Sequence, residues 1–299
     1  MRRGLVAAAC LGAAIPTPMD AQVLSTREAM ALPSTPADHR IAWGRDPVQF
    51  GDLRLPPGPG PHPVVVLVHG GCWLAEYGLD YLGAMAGAVT AAGFATWSVE
   101  FRRVGDAGGG WPGTMLDVGA AVDHLRVLAG RFPLDLDRVV LSGHSAGGQL
   151  ALWAAGRHRQ PQDSPLRTGN PLPVRGAVAL APLADLAASV APAAALCDGT
   201  AARLLGGSPA EVPERYRLAS PAELLPLGVP YVIVNGELDQ IVPPDHVTRF
   251  AAAARRAGDR VRLEIVPGAG HFEPVAPGRA AFAMVLAAIG ELMGAPKQQ

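Results

Sequence analysis

The sequence predicts an α/β fold: a mostly parallel, twisted sheet with helices on both faces and a small cap insert. Three observations carry this. Apolar β-branched runs alternate with helix-like segments from Val64 onward, the pattern of linked strand–helix–strand units. The run Val64-Val65-Val66-Leu67-Val68 is continuous, as in a strand covered on both faces. Ala181 to Val229, rich in Ala, Pro, Gly and Leu, shows no strand pattern and falls between two strands. An insertion at the strands' carboxyl ends would lie over the mouth of the sheet.

The elements follow in order. Ile41 to Pro56 reads as two short strands with a turn, and Pro56 to Pro63 (PPGPGPHP) as a rigid loop. Val64 to Val68 is the first buried strand. Leu79 to Ala92 is helical and Gly93 stops it; Phe94 to Phe101 is a strand. Pro112 opens a helix reaching Ala129, with Met115, Val118, Val122, Leu125 and Leu128 on its apolar stripe. A strand over Arg138 to Leu141 leads to a helix over Gly147 to Ala155, and Val174 to Leu180 is the next strand. After the insert come a strand (Tyr231 to Asn235), a helix (Pro244 to Ala257), a strand (Arg262 to Val266) and a final helix (Arg279 to Met293).

The chain has 299 residues, 49% hydrophobic and 17% charged, enough for one large core. A net charge of -1 and 5% aromatic residues argue against a nucleic-acid partner, which needs a basic face or stacking platforms. Two arginines precede an apolar stretch from Gly4 to Ile15. Residues 1–21 are therefore expected to be a secretory leader, cleaved near Ala14 or Ala21, with 22–299 the mature domain. That places the protein in the periplasm or outside the cell; without a functional leader it would be cytoplasmic. No later stretch has the ~18 unbroken apolar residues of a membrane span. Once the leader and Cys10 are removed, Cys72 and Cys197 remain. They match no zinc spacing and are expected as two separate buried thiols, with a disulfide in an oxidising compartment the alternative.

The segment RVVLSGHSAGGQL, Arg138 to Leu150, carries the chemistry. A buried strand runs into Gly143-His144-Ser145-Ala146-Gly147 and then a helix: G-x-S-x-G in a strand–turn–helix setting. The turn is so tight that side chains at the flanking glycines would collide with neighbouring backbone. The serine then stands exposed at a helix N-terminus, whose partial positive charge favours developing negative charge. A serine hydroxyl needs a base, and the base needs a carboxylate to fix its tautomer. Both are expected after the serine in sequence. Asp239 follows the strand Tyr231 to Asn235, and His271 follows the strand Arg262 to Val266. The catalytic set is thus Ser145, Asp239 and His271, with Glu237 the weaker alternative for the acid. Asp245 and His246 are assigned to a helix start and the surface, His124 to a solvated helix face, and Asp117 and Asp123 to helix caps or decoration.

Attack on a carbonyl generates an oxyanion that preorganised N–H groups must hold. Ala146, after the nucleophile, supplies one. The loop in LVHGGCW, Leu67 to Trp73, supplies the others through Gly71 and Cys72, because glycine permits close approach and inward-turned N–H groups. His69 would orient this loop. Trp73 would pack it and, with His144, is a candidate substrate contact. A metal site lacks further ligands at suitable spacing, and a phosphate cradle lacks the following Lys-Ser/Thr; no cofactor is expected.

From about Ile41 onward the chain resembles the α/β-hydrolase superfamily, most specifically at HGGCW, GHSAGG, NGELDQIVP and GAGHF. H-G-G-x-W is similar to the esterase/lipase branch that holds kynurenine formamidases and feruloyl or acetyl-xylan esterases. Leu204 to Leu225 and SVEFRRV also look like that branch, with Phe101 where tyrosine is usual. The resemblance implies a cofactor-free serine hydrolase acting on small-molecule carboxylic esters of small to medium acyl groups. The alternatives are an amide hydrolase, either formamidase-like or peptidase-like, and a non-catalytic binding relative. The oligomeric state is not legible. The mechanism predicts a rate that falls at acid pH, where an imidazole base is protonated.

Overall fold

A computed structural model of the protein describes residues 23–191 and 195–294. The expected leader, 1–21, and Cys10 lie outside them. In chain order the elements are α1 (Thr26–Met30), β1 (His39–Ala42), β2 (Phe50–Arg54), β3 (His62–Val68), α2 (Gly83–Ala91), β4 (Ala95–Val99), α3 (Gly113–Asp123), α4 (Leu125–Ala129) and β5 (Leu134–His144). They continue with α5 (Ala146–Gly156), β6 (Gly176–Leu180), α6 (Leu186–Ser189), α7 (Thr200–Leu205), α8 (Pro213–Ala219), β7 (Tyr231–Gly236), α9 (Pro244–Arg256), β8 (Val261–Val266) and α10 (Ala280–Met293). The strands form one sheet in the order β1-β2-β4-β3-β5-β6-β7-β8. β1 pairs β2 and β2 pairs β4 antiparallel, and every later pairing is parallel. This is the mostly parallel sheet that the strand–helix alternation predicts, in the α/β-hydrolase arrangement that the resemblance implies.

Strand periodicity sorts the core into two layers. Val64, Val66 and Val68 of β3 join Met115, Val118, Leu150 and Phe250 on the face covered by α3, α5 and α9. Val65 and Leu67 point the other way, to Met85 and Val89 of α2 and Phe282 and Val285 of α10. Both faces of β3 are buried, which is why its sequence is continuously apolar. Among the described residues no helix is long and apolar enough to cross a membrane.

Four local expectations are corrected. The helix expected over Pro112 to Ala129 breaks at His124, where the Val127 N–H donates to the His124 carbonyl in a tightened turn. The His124 ring stacks beside Trp97, and burial, then Arg131, lowers its pKa; it is not a freely solvated face residue. Asp117 and Asp123 bind more than their own helix: Asp117 is buried and accepts from Arg102 and Gln49, and Asp123 accepts from Arg157. His246 is buried rather than at the surface, its ring facing the Asp185 N–H.

The largest correction concerns the cysteines. Cys72 and Cys197 form a disulfide, with Cα atoms 5.6 Å apart and a sequence separation of 125. It ties the loop after β3 to the insert between β6 and β7. Described parts of that insert pack into the core. Leu204, Leu205, Tyr216 and Leu218 join the core layer of α3 and α5, and Trp153, Gln149 and Gln160 bond its carbonyls at Leu218 and Ala219.

Candidate active site

The turn between β5 and α5 is built as tightly as the glycines require. Ser145 sits at φ 57°, ψ -120°, a region a non-glycine residue occupies only when its surroundings force it. Its N–H donates to the Leu180 carbonyl at 2.8 Å. A Cβ on Gly143 would lie 2.1 Å from the Gly147 carbonyl oxygen, and one on Gly147 would lie 2.2 Å from that of Val68. Both positions therefore need glycine.

Asp239 and His271, each in a loop beyond a strand end, meet over this turn. His271 Nδ1 is 2.7 Å from Asp239 Oδ2. The other carboxylate oxygen accepts from the N–H groups of Ile241 and Val242, each at 2.8 Å. The buried Asp239 is thus fixed on both oxygens and holds the ring by one nitrogen. Glu237, the alternative acid, instead accepts from the Gly268 N–H on the exposed side of the loop. Ser145 and His271 line one cavity of about 110 Å³. Their side chains share no hydrogen bond here; a contact of this kind tightens in the Michaelis complex.

The loop after β3 forms the facing wall. Gly71, Cys72 and Trp73 all have positive φ, at 96°, 51° and 58°. Gly71 and Cys72 line the Ser145 cavity, and among the described residues their N–H groups donate to no protein acceptor. Ala146, first residue of α5, has no acceptor within its helix. His69 braces the loop: Nδ1 faces the Gly70 carbonyl at 2.8 Å and Nε2 faces Glu100 at 2.7 Å. Burial alone would raise the Glu100 pKa, but the His69 hydrogen bond and charge, Arg103 and the Phe101 N–H together hold it below the usual carboxylate value.

The two candidate substrate contacts fare differently. Trp73 does not line the cavity; positive φ turns its indole into the core, where Nε1 donates to Gln149 at 3.0 Å. His144 does line it, but both ring nitrogens are engaged. Nε2 faces the His271 carbonyl at 2.9 Å and so must donate; Nδ1 then accepts from the Tyr81 hydroxyl at 3.0 Å. That hydroxyl in turn accepts from the Gly70 N–H at 2.6 Å. The chain Gly70–Tyr81–His144–His271 thus joins the loop after β3 to the backbone of His271. It needs a neutral His144, and burial, reinforced by the adjacent His271, lowers the His144 pKa well below its ordinary value.

Sequence reasoning missed Tyr81, Glu100, Gln149 and Glu273, single polar residues whose partners are distant in sequence. It also missed Thr26 and Met30, which line the cavity from α1. The Ser25-x-x-Glu28 capping box was a readable signal for that helix. Among the described residues no cluster of His, Cys, Asp or Glu could hold a metal ion.

Comparison with known proteins agrees with this architecture. The chain is 26% identical over 238 residues to esterase LipC of Mycobacterium tuberculosis (strain ATCC 25618 / H37Rv), covering 78% of this chain and 59% of that protein. The chain therefore spans about three fifths of the length of the curated relative it matches. Among solved structures, a truncated carbohydrate esterase from gut microbiota superposes with a TM-score of 0.74 at 22% identity, covering 86% of this chain and 99% of that one. Esterase 2 of Thermogutta terrifontis gives 0.69 at 21% identity, covering 89% and 98%; that enzyme has also been solved phosphorylated by paraoxon. The family model described as BD-FAE matches residues 52–253, a span from β2 into α9 that includes the elbow, the facing loop and Asp239, and the chain belongs to that family.

Proposed function

We propose that the protein is a serine esterase that hydrolyses small-molecule carboxylic esters through an acyl-enzyme. The observation that carries this reading is the meeting of the Asp239–His271 pair and Ser145 at one cavity, facing the free N–H groups of Gly71 and Cys72. His271 Nε2 takes the Ser145 proton as the oxygen attacks the acyl carbonyl. The carbonyl oxygen becomes an oxyanion held by Gly71, Cys72 and Ala146 N–H groups. His271 passes the proton to the leaving alcohol, and water then attacks the acyl-enzyme with the same base. Asp239 stays ionised and keeps Nδ1 protonated. No step calls for a cofactor. The paraoxon adduct of the Thermogutta enzyme supports the reading, since phosphorylation by such a reagent marks a nucleophile in that related fold.

The test is hydrolysis of p-nitrophenyl esters from acetate to decanoate by wild type and Ser145→Ala. Wild type should turn over short esters, and the variant should lose roughly 10⁴-fold or more in kcat. Equal turnover by the two proteins would rule the mechanism out.

The reading extends to an oxidising location, periplasmic or secreted. The Cys72–Cys197 disulfide supports it, because such bonds persist outside the reducing cytosol. Fractionation of the source cell should recover the protein oxidised outside the cytoplasm; a reduced cytoplasmic pool would contradict it.

A further inference from the structure

The cavity over Ser145 has a wall that the expected cap does not supply. No described residue of 181–229 lines it, whereas Thr26 and Met30 do. They lie four residues apart on α1 and so share one face of that helix. Ala29, between them, is buried in the core layer of α2 and α10, while Arg27 and Glu28 face solvent. A five-residue helix is not stable alone; here it is pinned from outside. The Glu273 carboxylate accepts from the Leu24 N–H at 2.6 Å and from the Gly270 N–H at 2.8 Å. One side chain therefore fixes the α1 segment to the loop that carries His271. Further along, Arg54 donates to the Thr35 carbonyl at 2.9 Å.

Four large apolar side chains among the described residues are strongly exposed: Met30, Val127, Leu238 and Met284. Of these, Met30 alone lines the cavity, at 42% exposure. An unbranched thioether at a pocket mouth is an adaptable apolar contact. Tyr77, Ile241 and Phe272 line it as well, and among the described residues no Asp, Glu, Lys or Arg does. A dry apolar void of about 150 Å³ holds one benzene. The 110 Å³ here suits an uncharged apolar arm of roughly four carbons or fewer.

We infer that α1 is the specificity wall of the site: Met30 is the stop that limits the length of the ester's apolar arm, so the substrates are esters with one short, uncharged, apolar arm. This rests on the serine-esterase reading for the identity of the ligand. The experiment compares wild type, Met30→Ala, Met30→Trp and the outward-facing control Arg27→Ala. Two series are used: p-nitrophenyl acetate, butyrate and hexanoate, which vary the acyl arm, and ethyl, butyl and hexyl acetate, which vary the alcohol. One methylene in an apolar pocket changes kcat/KM by about 10-fold or more. In one series Met30→Trp should lower the six-carbon to two-carbon ratio of kcat/KM by about tenfold or more. Met30→Ala should raise the same ratio, and Arg27→Ala should leave it at the wild-type value. The responsive series names the arm that occupies the cavity. Ratios within twofold of wild type for both Met30 variants in both series would overturn the inference.

A second readout does not depend on catalysis. In Ser145→Ala protein carrying ¹³C-methyl methionine, titration with intact butyl butyrate should shift the Met30 methyl signal saturably, the signal being identified by its loss in Met30→Leu. If wild type hydrolyses no ester, the esterase reading falls while this shift still decides the wall. An unmoved Met30 signal would overturn it.

Discussion

Asp239 is held by two backbone N–H groups and one imidazole, and its proposed task is to fix the His271 tautomer. Asp239→Asn keeps the shape but lets the ring turn over. It should lower kcat by about 10⁴-fold with little change in unfolding midpoint; a loss of less than tenfold would remove Asp239 from the mechanism. Tyr81 has a different kind of role. Tyr81→Phe strips the Gly70 N–H and His144 Nδ1 of their shared partner, and burying unpaired polar groups costs about 1–3 kcal/mol. Urea unfolding should show a loss in that range. His246 carries a pH signature: burial lowers its pKa to about 4, with Arg249 acting the same way and Asp185 opposing. The unfolded state then binds a proton that the native state refuses. Stability is intact above about pH 6.5 and falls as pH drops toward 4, by up to about 3 kcal/mol, with His144 adding in the same direction. His246→Asn should flatten the pH dependence of the urea midpoint between pH 7.5 and pH 5; an unchanged slope would show that His246 does not contribute.

At the scale of elements, the disulfide links the loop after β3 to the insert across a long stretch of chain. Closing a 125-residue loop restricts the unfolded ensemble by up to about 5 kcal/mol in the chain-entropy account. Cys197→Ser should therefore lower stability by several kcal/mol, and wild type with reductant should match it in urea titrations. It should also raise KM or lower kcat, because Cys72 presents one of the proposed oxyanion N–H groups. Stability indifferent to reductant would mean the bond is not formed in solution. The Ser145 elbow is less forgiving still: a methyl at Gly147 would strike the Val68 and His69 carbonyls at 2.2 and 2.3 Å, so strand β3 and helix α5 could not keep their present approach.

Across the whole molecule, the inner parallel strands β3, β4, β6 and β7 were legible because each is a mostly apolar run buried on both faces. The starts of β3 and β5 escaped together: His62 and Pro63 end a proline-rich run and Asp135 and Asp137 interrupt the apolar pattern, yet His62 pairs with Leu134 and Pro63 with Asp135. Ser145, Asp239 and His271 were readable because each follows a strand end and the flanking glycines have one steric purpose. What stayed hidden depends on the path of the chain in space. The meeting of Cys72 with Cys197, the turn of Trp73 toward Gln149, and the passage of α1 across the cavity all join residues far apart in sequence. The position of the insert between two strands is visible in the sequence, whereas the Glu273 clamp that holds α1 in place is not.

The central claim is that Ser145 is the nucleophile. The most direct measurement is peptide-resolved mass spectrometry after exposure to paraoxon, on wild type and Ser145→Ala, with ester hydrolysis followed in parallel. One diethylphosphoryl group per chain is expected on Ser145, appearing in step with loss of hydrolysis and absent from the variant. An unlabelled Ser145 in protein that still hydrolyses esters, or a label on another residue that abolishes activity, would contradict it.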